Sequence, residues 1–195
     1  MPIFEPIEGA TPIDDISGLI PTHITTKAEL DEWEAANILK AVRKYLVPGK
    51  KRGITVEWLK KVHKDMFNDT WKWAGKFRTK STNVGVEPHR IQEETKKLVD
   101  DIKFWEKGNT FDPLETSVRV HHRIVHIHPF ENGNGRHARL VADIFLFSQG
   151  QKLPAWPGED LIKKTDVRTR YIRALKEADS GNYKPLEDFT KSLMK

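Results

Sequence analysis

The sequence predicts an all-α protein, a bundle of helices with one short β-hairpin. Three observations carry that expectation. Apolar residues recur at spacings of three and four over most of the chain, Pro and Gly fall between those stretches, and one mid-chain segment, residues 68–90, breaks the rhythm with Gly, Pro and two close Trp residues.

The elements follow in order. Residues 1–24 hold four prolines and two glycines without helical periodicity and read as an extended arm, leaving 25–195 as a single helical domain. From Thr25 or Thr26 as N-cap, Leu30, Trp33, Asn37, Ala41 and Tyr45 form the apolar stripe of a first helix, which Pro48 and Gly49 stop. A second helix opens at Thr55, buries Leu59, Val62 and Met66, and ends near Phe67. Within residues 68–90, the stretch Ser81, Thr82, Asn83, Val84, Gly85 and Val86 is the predicted hairpin. Ile91, Thr95, Leu98, Ile102 and Trp105 predict a helix over about 87–107, closed by Gly108 and Asn109. Pro113 suits a first helical turn, and Leu114, Val118, His121 or His122, and Val125 continue a buried stripe. Further helices are expected over 136–149, ahead of Gly150, over about 164–178, and from Pro185.

Composition removes several classes of function. The chain has 195 residues, no Cys, and a formal charge of +5 from 33 basic and 28 acidic side chains. No stretch approaches the roughly 20 apolar residues of a membrane span, and the acidic, Pro-rich start does not read as a secretory signal; a cytoplasmic location is the expectation. Without Cys there is no disulfide, thiol nucleophile or thiolate metal site. Acidic residues are mixed among the basic ones, which argues against a nucleic-acid face.

Chemistry concentrates in residues 126–139, HIHPFENGNGRHAR. Small residues at Gly133, Asn134 and Gly135 let successive N–H groups converge on an anion, and a helix start adds its positive end. Arg136 and Arg139, three apart, are placed to reach adjacent phosphates. His128 stands at the other lip as the candidate general base, with Phe130 as its buried anchor. Five of the eight histidines fall between 121 and 137, and His122 and His126 have the i, i+4 spacing of helical zinc ligands. Arg123 stands where a zincin carries Glu and sets a cation beside such a metal, so packing and hydrogen bonding are the expected roles of these rings, with His128 alone in chemistry.

The segment HPFENGNGRHAR resembles the signature of the Fic/Doc (Fido) family: His, any, Phe, any, Asp or Glu, Gly, Asn, Gly or Lys, Arg, any, any, Arg. The match falls on His128, Phe130, Gly133, Asn134, Gly135, Arg136 and Arg139. Residues 59–79, LKKVHKDMFNDTWKWAGKFRT, are similar to the family's upstream helix with its Trp-Ala-Gly turn and Arg, and the resemblance spans about 54–189. The opening, from Gly9, Ala10, Thr11 and Pro12 through Gly18, Leu19, Ile20, Pro21, Thr22 and His23, resembles the subfamily called mobile mystery protein B.

The resemblance implies a Fic-type helical bundle that moves AMP from ATP, with Mg²⁺ or Mn²⁺, onto a Tyr, Thr or Ser hydroxyl of a target protein. His128 would take the hydroxyl proton, Asn134 and the loop N–H groups would hold the α-phosphate, and Arg136 and Arg139 the outer phosphates. The stretch 81–86 would be the flap that docks the target by strand addition. Gly135, where the family's phosphate-transferring branch has Lys, implies nucleotidyl transfer. The family's acidic, Mg²⁺-holding position is Asn132 here, with Glu131 one place early. A neutral amide offsets less of the ion's charge, so transfer of another phosphate-containing group, or nucleotide or protein binding without turnover, are the alternatives. The family's inhibitory glutamate, in the pattern Ser or Thr, three residues, Glu, Gly or Asn, pairs with the second arginine. Glu29 has that spacing from Thr25 but precedes Leu30, and Glu34 is a second candidate; both are expected as solvated acids. An antitoxin-like partner is therefore implied, as in toxin–antitoxin modules.

Overall fold

Four of the helices begin where a side chain accepts their first N–H groups. In the computed structural model, which describes residues 16–48, 53–158, 161 and 165–194, Thr26 caps α1 (Lys27–Tyr45) in a capping box with Glu29. Thr55 caps α2 (Val56–Phe67), Asp112 caps α4 (Pro113–Ile127) with Pro113 in its first turn, and Thr165 caps α6 (Asp166–Asp179). A single 3₁₀ turn, Pro88–Arg90, leads into α3 (Ile91–Gly108), which Asn109 ends in the left-handed region at φ 46°. α5 (Asn134–Ser148) and α7 (Lys184–Ser192) complete the order. The expectations on residues 1–15, on Gly49 and on Lys164 lie outside the described residues.

The fold is all-α, and its β content is slighter than a hairpin. Among the described residues the only pairings are isolated bridges, Leu19 with Trp71 and Phe77 with Phe130. Residues 81–86 form no strand and bend at 83–86, where side chains take the carbonyls of the segment: Thr82 Oγ1 donates to Val84 O, and the Arg78 guanidinium donates to Lys80 O and Val86 O. The end of the N-terminal arm runs across residues 70–72, with Ile20 N–H on Thr70 O and Lys72 N–H on Gly18 O, both at 2.9 Å.

Two clusters of buried side chains share α4. One gathers α1 to α5, with Val62, Met66, Leu98, Val120 and Val141 wholly buried. The other joins Val118 of α4 to Leu161, Tyr171, Leu175 and Leu186. Each such aliphatic side chain contributes about 1.5–3 kcal/mol on burial, so the α4–loop–α5 unit is gripped from both sides. On α1 one expected position changes hands. Trp33 is 40% exposed, its Nε1 on Asp69 O, while Glu34 lies 2% exposed on the stripe with Leu30, Asn37, Ala41 and Tyr45. Among the described residues, no helix is long and apolar enough to cross a membrane.

Candidate active site

The loop 128–133 turns the chain from α4 into α5, and its shape is set residue by residue. His128 closes α4 in the left-handed region, φ 52° and ψ 59°, with its N–H on Ile124 O. A non-glycine residue there is strained by about 1–2 kcal/mol, and Arg78 holds it in place. The 2% exposed Arg78 donates from its backbone N–H to Pro129 O at 2.9 Å and from Nε to His128 O at 2.7 Å. The same guanidinium grips the ends of the 81–86 stretch through Lys80 O and Val86 O, so one side chain fixes both His128 and the segment above it. That segment closes on His128: Val86 N–H donates to Ile127 O, and a Cβ on Gly85, at φ 94°, would stand 2.4 Å from the His128 Cβ.

Burial lowers the His128 pKa to about 4; the nearby Arg78 charge adds to this, and a hydrogen bond to the Val125 carbonyl opposes it. The ring is therefore neutral near pH 7. A neutral imidazole that donates one N–H carries a lone pair on its other nitrogen, as a general base requires.

Phe130 is wholly buried, stacked on His63 with centroids 3.7 Å apart and edge-on to His137 at 5.1 Å. Asn134 clamps the same residue, accepting from Phe130 N–H at 2.9 Å and donating to Phe130 O at 2.8 Å. Its amide is thus committed to closing the loop, not aimed at a phosphate as the resemblance implied. Gly133 sits at φ 77°, and a Cβ there would lie 2.5 Å from the Phe67 ring, so only glycine fits without a shift. The first intrahelical bond of α5 is His137 N–H to Gly133 O, which leaves the N–H groups of Asn134, Gly135 and Arg136 without an intrahelical acceptor. N–H groups left open at a helix start suit an anion.

His63 was missed in the sequence reading. Its Nδ1 accepts from Gly75 N–H, at the end of the Trp-Ala-Gly turn, so Nε2 carries the proton and donates to Asn132 O; both contacts are 3.0 Å. Burial drives its pKa well below the usual value. One ring therefore ties the upstream turn to the signature loop. The available signal was its position four residues after Leu59 on the buried face of α2.

The two arginines turn to different neighbours. Arg136 Nη1 pairs with Glu34 Oε2 at 2.5 Å, and its guanidinium lies over the Phe67 ring at 4.9 Å. Glu34 Oε1 accepts from Trp71 Nε1 at 2.7 Å, so this carboxylate is buried and doubly bonded where a solvated acid was expected. It meets the first arginine, not the second. Arg139 instead lies between the Trp156 and Tyr171 rings, 5.9 and 6.0 Å from their centroids. Glu29, the other inhibitory candidate, is exposed and spent on the α1 cap, accepting from Thr25 and Thr26 N–H.

The Fic/DOC family model matches residues 53–146, from the turn before α2 to near the end of α5, and so includes the loop 128–133 with His63 and Arg78. The chain carries a Fic/DOC domain. Among its relatives, protein adenylyltransferase fic-1 of Caenorhabditis elegans is 33% identical over 116 residues, 57% of this chain and 21% of that protein. Protein adenylyltransferase Fic of Drosophila melanogaster is 29% identical over 119 residues, 60% and 23% of the two chains. The matched part is about a fifth of the length of these curated relatives. The fold is shared with solved Fic structures. C. elegans Fic-1 (residues 134–508) superposes with a TM-score of 0.67 at 23% identity, covering 90% of this chain and 51% of that one. The BepC protein of Bartonella tribocorum, solved with bound AMPPNP, gives 0.70 at 20% identity and covers 91% and 92%.

Proposed function

We propose that this Fic/DOC chain is a protein adenylyltransferase that moves AMP from ATP onto a Ser, Thr or Tyr hydroxyl of a target protein. The observation that carries the reading is His128: a buried, neutral imidazole fixed by Arg78 and Val125 at the lip of a loop whose helix-start N–H groups suit an anion. In the proposed step His128 takes the hydroxyl proton as the oxygen bonds to the α-phosphorus. The bond from that phosphorus to the bridging oxygen breaks, and pyrophosphate leaves. The N–H groups of Asn134, Gly135 and Arg136 hold the α-phosphate charge, while the Asn134 side chain keeps the loop in shape. The stretch 81–86, seated on His128, forms the face on which the target segment docks.

Arg136 reaches the outer phosphates only after leaving Glu34, so this pair acts as a brake within the chain, in the place given above to an antitoxin-like partner. The expected protein-held Mg²⁺ is not part of the reading, because the residues do not fit it. Asn132 Oδ1 already accepts from Gly133 N–H at 2.5 Å, and the Arg136 guanidinium stands 3.5 Å from that oxygen. The same observation favours a second reading, a nucleotide binder without turnover.

Intact mass of the protein and of lysate proteins after incubation with ATP and Mg²⁺ separates the two. Gain of one AMP, reduced by roughly 10²-fold or more in His128→Ala, supports the transferase. ATP binding with no adduct supports the binder.

A further inference from the structure

The helix pair that carries His128 has a second cluster of chemically competent side chains. His122 and His126 lie one turn apart on α4, their ring centroids 5.8 Å apart, and the end of α6 brings Asp179 to them. Asp179 Oδ1 stands 2.9 Å from His122 Nε2 and 3.0 Å from His126 Nδ1, and the three ligand atoms all lie within 4.8 Å of one another. The objection raised by the sequence is weakened, because Arg123 turns to α3, where Nη1 pairs with Asp101 at 3.2 Å.

We propose that His122, His126 and Asp179 form a divalent transition-metal site, of the class filled by Zn²⁺, that ties the last turn of α4 to the end of α6. The donor set, two imidazole nitrogens and one carboxylate oxygen, is that of an open zinc site with water as fourth ligand. Ligand atoms about 2.0–2.1 Å from a tetrahedral ion lie roughly 3.3 Å apart. The two present contacts need to open by only a few tenths of an ångström, and the half-exposed side chains of His126 and Asp179 can make that movement. Their exposure also gives the ion a path in. His122 is the fixed ligand, 4% exposed, with the Tyr183 hydroxyl 3.4 Å from its Nδ1. In the metal-free pair, Nε2 carries the His122 proton. On binding, Nε2 becomes the ligand, the proton moves to Nδ1 and is donated to Tyr183, and the hydroxyl reverses from donor to acceptor. This is the outer hydrogen bond that orients a metal-bound imidazole.

The test uses the untagged, metal-stripped full chain without nucleotide, titrated with Co²⁺ by visible absorption and with Zn²⁺ by calorimetry. The expected result is one ion per chain, a tetrahedral Co²⁺ spectrum displaced by Zn²⁺, and affinity lower by roughly tenfold or more in both His126→Ala and Asp179→Asn. Both positions are half-exposed, so the variants fold, as far-UV circular dichroism verifies, and His89→Ala, at an exposed histidine elsewhere, leaves binding unchanged. Absence of stoichiometric binding overturns the proposal. Binding that survives both variants also overturns it, by placing the ion elsewhere.

Discussion

The two sides of the α4–loop–α5 unit use the same residue types to different ends. On the side facing α2, His63 and His137 are wholly enclosed, and burial holds the His137 pKa at about 3 and that of His63 well below its usual value. His63 spends both ring nitrogens on backbone partners, and His137 Nε2 faces Leu59 O at 3.0 Å. These rings are framework. On the side facing α6, His126 is half-exposed and shares Asp179 with His122, in contacts that an ion can replace. Between them stands His128, buried enough to stay neutral and strained enough to need Arg78. What separates these histidines is the partner of each ring: backbone groups for His63 and His137, and a half-exposed carboxylate for His122 and His126.

The contrast can be broken from either side. The largest effect is expected for His63→Phe, which keeps the stacking on Phe130 but strands Gly75 N–H and Asn132 O. Each such group costs about 1–3 kcal/mol when unpaired, so the two together give an expected loss of about 2–6 kcal/mol in denaturant unfolding. Asp143, on the α6-facing side, gives a smaller effect that depends on pH. Burial raises its pKa from 3.8 to about 7, against the hydrogen bonds it accepts from Trp156 Nε1. Between these values the folded chain holds a proton that the unfolded chain has released, so stability falls as pH rises from about 4 to about 7 and then levels off. Asp143→Asn keeps an acceptor for Trp156 and cannot ionise. It is expected to match the parent near pH 4 and to be more stable by about 1–3 kcal/mol at pH 8, read as a difference in Tm between the two conditions. The smallest effect is His126→Ala without metal, which removes one exposed contact and costs less than about 1 kcal/mol. A loss as large as that of His63→Phe would erase the distinction between framework and ligand.

Much of this was legible from local pattern. The stripes of α2, α3 and α4 follow their apolar spacing, and the caps at Thr26 and Thr55 lie where the side chains indicate. The signature loop forms between two helices as its small residues suggest, although α5 starts at Asn134, two residues early, because Gly133 makes the turn. What escaped depends on distant partners. Whether Trp33 or Glu34 faces inward is decided by Trp71 and Arg136, 37 and 102 positions away. Asp179 reaches His122 across 57 positions, and no spacing rule links them. The hairpin failed to appear because Arg78 took the carbonyls that a second strand needs.

The most direct measurement is the rate of AMP incorporation, by intact mass, in the parent, Glu34→Gln, and Glu34→Gln combined with His128→Ala. Gln at position 34 keeps an acceptor for Trp71 and removes the charge that holds Arg136. The expected result is faster incorporation in Glu34→Gln than in the parent and none in the double variant. Incorporation no faster in Glu34→Gln, or persisting without His128, would contradict a His128-dependent transfer held back by the Glu34–Arg136 pair.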